Sequence, residues 1–144
     1  IIYRADANGH FTFFNPIAMK IFGYSKKDLT GKHYLELMRP DYRKDAERFY
    51  GLQFVKEIHN TYYEFPAITK DGREIWLGQN VQLIMEGDKV AGFQAVTRNI
   101  TERVQAERAL RESETKYRSL FENTGAATVI IEEETTIIYS QHRI

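Results

Sequence analysis

With 144 residues, 42% of them hydrophobic and 13% aromatic, the chain has the size and composition of one folded domain with extra elements, and a disordered tail is excluded. Its 20 basic and 20 acidic side chains cancel, so no global field draws it to DNA, RNA or an anionic membrane. No run approaches the roughly 18 apolar residues of a membrane span and no signal peptide opens the chain. The lack of cysteine removes disulfides, thiol nucleophiles and thiolate metal ligands, and makes a cytoplasmic location the expectation. The sequence opens on Ile1 without Met and stops at Ile144 just after strand-like residues, so it reads as a piece of something longer.

Ile2-Tyr3-Arg4 and Phe11-Thr12-Phe13-Phe14 flank Asp6-Ala7-Asn8-Gly9 and predict a hairpin joined by an Asn-Gly turn. Asn15 offers an N-cap with Pro16 at the first helical position, and Ile17/Ile21 and Ala18/Phe22 share helical spacing before Gly23 ends the run. Ser25-Lys26-Lys27-Asp28 predicts a second capped turn broken by Gly31, and residues 34–38 a third short piece closed by Pro40. Asp41 can then cap a longer helix, ending about Ile58, whose apolar stripe is Ala46, Phe49, Tyr50 and Phe54.

Residues 61–98 predict an antiparallel meander of three strands, with turns at Lys70-Asp71-Gly72 and Glu86-Gly87-Asp88. In its middle strand Ile75, Leu77, Val81, Leu83 and Met85 share one parity, while Glu74, Trp76, Asn80 and Gln82 share the other. One sheet face is therefore buried, and Gln79 falls on the apolar parity. Trp76, on the polar parity, is either a contact for the following helix or a partner, or an ordinary half-exposed strand residue.

Residues 101–123 hold neither Gly nor Pro and predict one long charged helix. Glu107/Arg111, Glu112/Lys116 and Glu114/Arg118 stand at i,i+4, each pair worth roughly 0.2–0.5 kcal/mol. Two series with seven-residue spacing, Ala106/Ser113/Leu120 and Leu110/Tyr117, make a thin seam that suits a parallel helix pair and a homodimer; the same residues could instead rest on the domain's own sheet. Beyond Gly125, residues 128–131 and 135–139 repeat the strand-turn-strand opening, with Val129, Ile131 and Ile137 as apolar positions. Such a hairpin is marginal alone and needs something folded to pack on.

The order of two strands, short helices, one longer helix, three strands and a charged helix resembles the PAS family. The stretches that carry the resemblance are Asn15-Pro16 through Phe22-Gly23-Tyr24 with Leu29-Thr30-Gly31-Lys32, Lys70-Asp71-Gly72-Arg73 before Trp76, and Gly92-Phe93 leading to Arg98-Asn99-Ile100-Thr101-Glu102-Arg103. The resemblance implies an α+β PAS fold: a five-stranded antiparallel sheet with short helices on one face and a projecting C-terminal helix. Residues 1–100 would form the sensory domain, 101–123 a signalling helix, and 124–144 the first strands of a second, incomplete PAS-like domain. Tyr117-Arg118-Ser119-Leu120-Phe121-Glu122-Asn123 resembles the helix that precedes many such domains. Arg98, Asn99, Ile100 and Thr101 would form the signal junction, with Asn99 standing where the family usually has Asp; Asn99 keeps a capping oxygen but loses the charge. The implied role is regulatory input to an output enzyme elsewhere, a sensor histidine kinase or a cyclic-dinucleotide cyclase.

No Ser/His/acid order, Gly-rich phosphate loop or His-rich metal spacing is present, so no catalytic residue and no metal site are expected. His10, His33, His59 and His142 are scattered and read as solvated surface side chains. The family's covalent flavin chemistry needs a Cys, and its haem site a His on the long helix, where residues 41–58 hold none; no cofactor is obligatory. A small-molecule ligand remains open, with Phe13, Phe22, Phe49, Tyr50 and Phe65 as core or cavity walls and Gln79 and Gln94 as its polar groups. The two amides could instead bond each other or the backbone in a filled core. The rival reading is a ligand-free dimerisation or connector module, and cavity volume separates the two.

Overall fold

The computed structural model describes residues 1–124, which fall in two compact units, Ile1–Thr101 and a second that begins at Glu102. The hairpin expected at residues 128–139 lies outside the described residues. In the first unit, β1 (Ile2–Asp6), β2 (Phe11–Phe14), β3 (Asn60–Ile68), β4 (Glu74–Glu86) and β5 (Lys89–Asn99) form one five-stranded sheet ordered β2-β1-β5-β4-β3. Every neighbouring pair is antiparallel. Helices α1 (Pro16–Phe22), α2 (Lys26–Leu29) and α3 (Pro40–Val55) and a 3-10 turn, Tyr34–Leu37, fill the chain between β2 and β3. Helix α4 (Thr101–Thr124) follows β5.

Local chemistry sets most of these boundaries. The Asn15 side chain accepts from the Ala18 N–H, Pro16 opens α1, and Gly23 closes it at φ 77, a left-handed conformation that favours glycine. Ser25 and Asp28 form a reciprocal capping box on α2. The β1–β2 turn is longer than an Asn-Gly pair: the Asp6 carboxylate accepts from the Asn8 and His10 N–H groups, each at 2.9 Å.

The start of α3 differs from expectation. Arg39 is the N-cap residue and Pro40 takes the first helical position, because a fixed φ near −65° suits that position and the missing N–H costs nothing there. Asp41 therefore lies inside the first turn, where it binds the Arg39 guanidinium at 2.7 and 2.9 Å; Arg39 also pairs with Glu74.

The helix ends at Val55 rather than near Ile58, and Glu57 takes a left-handed φ of 50. This corner is held by Gln53, which is fully buried. Its amide nitrogen donates to the carbonyls of Ile58 (3.1 Å) and Val81 (2.9 Å), and its oxygen accepts from the Thr61 hydroxyl at 2.7 Å. One side chain thus ties α3 to the start of β3 and to the centre of β4.

The period-2 reading of β4 holds. Ile75, Leu77, Val81 and Leu83 are buried with Gln79 on one face, facing a core that Phe22, Leu29, Leu37, Ala46, Tyr50 and Phe65 complete. Met85 is half-buried, beyond a register shift between Ile84 and Met85. Trp76 is half-buried on the opposite parity, with its ring edge-on to Tyr42 at 5.7 Å.

Gln53→Leu keeps the bulk of the side chain but strands two carbonyls and a hydroxyl, and each such group costs roughly 1–3 kcal/mol. The expected result is a clearly lower urea midpoint with an unchanged slope. An unchanged midpoint would mean that Gln53 does not anchor the corner.

Candidate functional site

Between the inner sheet face and α3 the core is largely apolar, and at its middle lies the buried amide of Gln79. Its side-chain oxygen accepts from the Tyr3 hydroxyl at 2.8 Å and the Thr97 hydroxyl at 3.1 Å, and its nitrogen donates to the Tyr50 hydroxyl at 2.8 Å. The partners come from β1, β5 and α3, so one amide connects three elements. Among the described residues no buried side-chain nitrogen or oxygen lacks a partner, as a polar cluster in a low-dielectric interior requires.

Two small voids flank this amide. One, of about 20 Å³, is lined by Tyr3, Tyr34, Tyr50, Gln79 and Phe93 among others. The other, also about 20 Å³, adds Phe22, Phe65, Leu77 and Thr97 around Gln79. Each has room for about one water molecule. Tyr34 lines both voids and also a wider surface cleft of about 220 Å³, so its ring stands between interior and exterior.

Tyr34 is positioned by the β1–β2 turn. Its N–H donates to the Gly9 carbonyl at 3.0 Å, and a Cβ on Gly9, whose φ is 86, would meet His33 Nε2 at 2.7 Å and the Tyr34 ring at 2.9 Å. Glycine is required there for both conformation and close approach. Burial pushes the Tyr34 hydroxyl up to about 12, with the nearby Glu47 carboxylate adding to it. Burial also raises Tyr3 well above the ordinary 10.0, helped by Tyr50 and opposed by the Gln79 hydrogen bond. Tyr3 as a whole is half-buried, and its hydroxyl lies inside against Gln79. Tyr50 moves the same way, chiefly by burial.

At the far end of β5, Asn99 Oδ1 accepts from the Thr101 N–H at 3.1 Å and from its hydroxyl at 2.6 Å. That hydroxyl in turn accepts from the Trp76 N–H at 2.9 Å, and the Ile100 N–H donates to the Trp76 carbonyl at 2.8 Å. The start of α4 is thereby bonded to β4 as well as to β5.

Residues 1–100 match the PAS family, described as the PAS fold. The chain belongs to the PAS family. Over 106 residues it is 28% identical to Two-component system protein A of Emericella nidulans, a match covering 74% of this chain and 16% of that protein. The chain therefore corresponds to a small part of that relative. Among solved structures, a sensory box histidine kinase/response regulator from Burkholderia thailandensis superposes with a TM-score of 0.69 at 19% identity, covering 82% of this chain and 89% of that one. The PAS-B domain of Drosophila melanogaster Cycle, with bound ethylene glycol, gives 0.63 at 14% identity over 68% of this chain and 97% of that one. A PAS domain from Colwellia psychrerythraea gives 0.61 at 23% identity over 70% and 86%. At these identities the structures share the fold alone.

Of the residues singled out from the sequence, the PAS core brings Tyr50, Phe22, Phe65 and Gln79 together around the two voids. Phe49 is half-buried and packs on Tyr50 and Tyr63 at 5.3 and 4.7 Å. Phe13 does not belong to the core: it is 45% exposed, under the Arg4 guanidinium at 5.7 Å, because Phe11 and Phe14 are the members of β2 that face inward. Gln94 is also on the outer face and accepts from Arg4 Nε at 3.0 Å, so the two glutamines do not bond each other. His33 is no solvated surface group: it is half-buried and its Nδ1 caps the 3-10 turn by accepting from the Leu35 N–H. At the β5–α4 connection Asn99 bonds Thr101, Ile100 and Thr101 bond Trp76, and Arg98 is exposed. In α4, taken by itself, Ala106, Leu110 and Leu120 are exposed, Ser113 is half-buried and Tyr117 is buried. Tyr3, Tyr34, Phe93 and Thr97 were not singled out. Their only signal is parity on their strands, or, for Tyr34, adjacency to a cap.

The tyrosine shifts set a pH window. An unfolded tyrosine ionises near the ordinary 10.0, whereas folded Tyr34 holds its proton to about 12 and Tyr3 and Tyr50 are likewise raised. A raised folded value means that the folded state binds more protons. The stability involved is therefore fully present below about pH 10 and is lost as pH rises through the folded values. An ultraviolet tyrosinate titration should show some of the nine tyrosines ionising late and together with unfolding; nine ionising together near the ordinary value would contradict the buried cluster.

Proposed function

We propose that the chain is a cytoplasmic sensory input domain. It takes a small uncharged ligand against the Gln79 amide and passes occupancy along β5 and through the β5–α4 junction to an output enzyme in a longer parent. The observation that carries this reading is the Gln79 cluster itself, in which one amide joins β1, β5 and α3 beside two voids. A ligand offering one donor and one acceptor can replace the Tyr50 bond while Thr97 remains engaged. Such a ligand shifts the protein only as far as it binds one arrangement better than the other. Thr97 lies two residues before Asn99 on the same strand, so a change at the amide is delivered close to the junction. A histidine kinase as the output is supported by the sensory box histidine kinase/response regulator and the two-component protein among the similar proteins.

A second reading, the ligand-free connector, is favoured by void size, since about 20 Å³ on each side of Gln79 holds water and no metabolite. Here α4 pairs with a second copy through Ala106, Leu110 and Leu120, the exposed members of the seam. Native mass spectrometry separates the readings: a retained small molecule supports the sensor, and a dimer without added mass supports the connector.

Trp76 is the single tryptophan and its backbone holds both Ile100 and Thr101, so its fluorescence reports on the junction. Ligand uptake should shift Trp76 emission. The pair Asn99→Ala and Thr101→Ala should abolish that shift while ligand affinity and fold persist, since loss of a cap costs only about 1 kcal/mol. A shift retained in the double variant would remove the junction from the relay.

For self-association, Leu110→Asp is the informative change, because Leu110 is 56% exposed and its loss leaves the chain's own packing intact. A charge at a helix seam must be desolvated on pairing, so sedimentation should show a weaker dimer. An unchanged dimer would exclude the seam.

A further inference from the structure

The surface cleft of about 220 Å³ lies between the β1–β2 turn, the 3-10 turn, the second half of α3 and β5. Its walls carry four aromatic rings, Tyr34, Tyr50, Phe54 and Phe93. Tyr34 and Tyr50 meet edge-on at 5.5 Å, and Phe54 and Phe93 pack at 6.3 Å. No lysine or arginine is among the described residues that line the cleft, and Glu47 is their single carboxylate. Glu47 is exposed on α3 and close enough to Tyr34 for its charge to act on that hydroxyl. His33, also in the lining, is turned to its own 3-10 turn, with Nδ1 accepting from the Leu35 N–H at 3.3 Å. The lining thus sets one carboxylate, with no lysine or arginine beside it, against aromatic rings whose faces carry negative potential.

Rings and one carboxylate without a competing base are the chemistry that recognises a positively charged, weakly hydrated head group. We infer that this cleft is a binding site for a small organic cation of the tetraalkylammonium class. The volume sets the size, since about 220 Å³ is below the roughly 300–1,000 Å³ of pockets for drug-sized ligands. An anion is disfavoured by Glu47, and a neutral molecule would use the rings alone. The site is distinct from the Gln79 interior and does not depend on that interior taking a ligand. Tyr34, Tyr50 and Phe93 line both, so the two share a wall.

The probe is choline, compared with its uncharged tert-butyl analogue of the same shape, each titrated into the 144-residue chain and followed by amide chemical shifts. Choline should perturb Gly9, Tyr34 and Phe54 and bind roughly fivefold or more tightly than the neutral analogue. Glu47→Gln, an exposed and nearly isosteric change, should reduce that preference by severalfold, leaving the part due to the rings, with the melting temperature unchanged. Glu86→Gln, at the end of β4 and outside the cleft lining, should leave it intact. Equal binding of the two probes, binding by neither, or a preference undiminished by Glu47→Gln would each overturn the assignment.

Discussion

A carboxamide buried in an apolar core must have its donors and acceptors satisfied, and whatever satisfies them is held in place by the same bonds. Gln79 imposes this constraint on the first unit. Its oxygen takes two hydroxyls and its nitrogen gives to a third, so Tyr3, Thr97 and Tyr50 are fixed relative to one another through one planar group. Losing the amide would leave three hydroxyls without a partner, each at a cost of roughly 1–3 kcal/mol. The cluster therefore fixes geometry more than it adds net stability, since replacing hydrogen bonds to water with internal ones gains little.

The strand order places this cluster close to the β5–α4 junction. β5 is the central strand, flanked by β1 and β4, and Thr97 faces Gln79 across the β4–β5 pairing. Two residues further on, Asn99 and Thr101 turn the chain into α4, and the Thr101 hydroxyl both donates to Asn99 and accepts from Trp76. In the proposed relay the interior polar group and the output helix are joined by a few residues of the most constrained strand of the sheet. The Gln53 corner, one turn beyond Tyr50, holds the end of α3 to β4 at Val81.

Much of this was legible in the sequence. The alternation in β4 placed Gln79 among inward residues because a sheet with one buried face leaves little choice of parity, and Asn15-Pro16 and Ser25 to Asp28 are local signals that tertiary contacts seldom override. The misses share a cause. Phe13 and Phe14 are adjacent aromatic residues, and only the pairing register decides which one points inward. Pro40 and Asp41 both carry start signals, and proline's fixed φ prevailed. Gln53 and Tyr3 earn their places through partners remote in sequence, Val81 and Gln79, which no local pattern reveals. His33 passed as a surface side chain because a ring nitrogen that caps a 3-10 turn has no signature beyond the short helix after it.

The central claim is that the Gln79 cluster and the β5–α4 junction are mechanically linked. Amide hydrogen exchange at Ile100 and Thr101 tests it most directly, measured in the unaltered chain, in Gln79→Met, and in Gln94→Met as a control on the outer face of the same sheet. Exchange at both amides should be faster in Gln79→Met and unchanged in Gln94→Met, because only the inner amide is bonded to Thr97. Exchange at Ile100 and Thr101 that stayed unchanged in Gln79→Met, while amides around Tyr3 and Tyr50 loosened, would show that the cluster and the junction are independent.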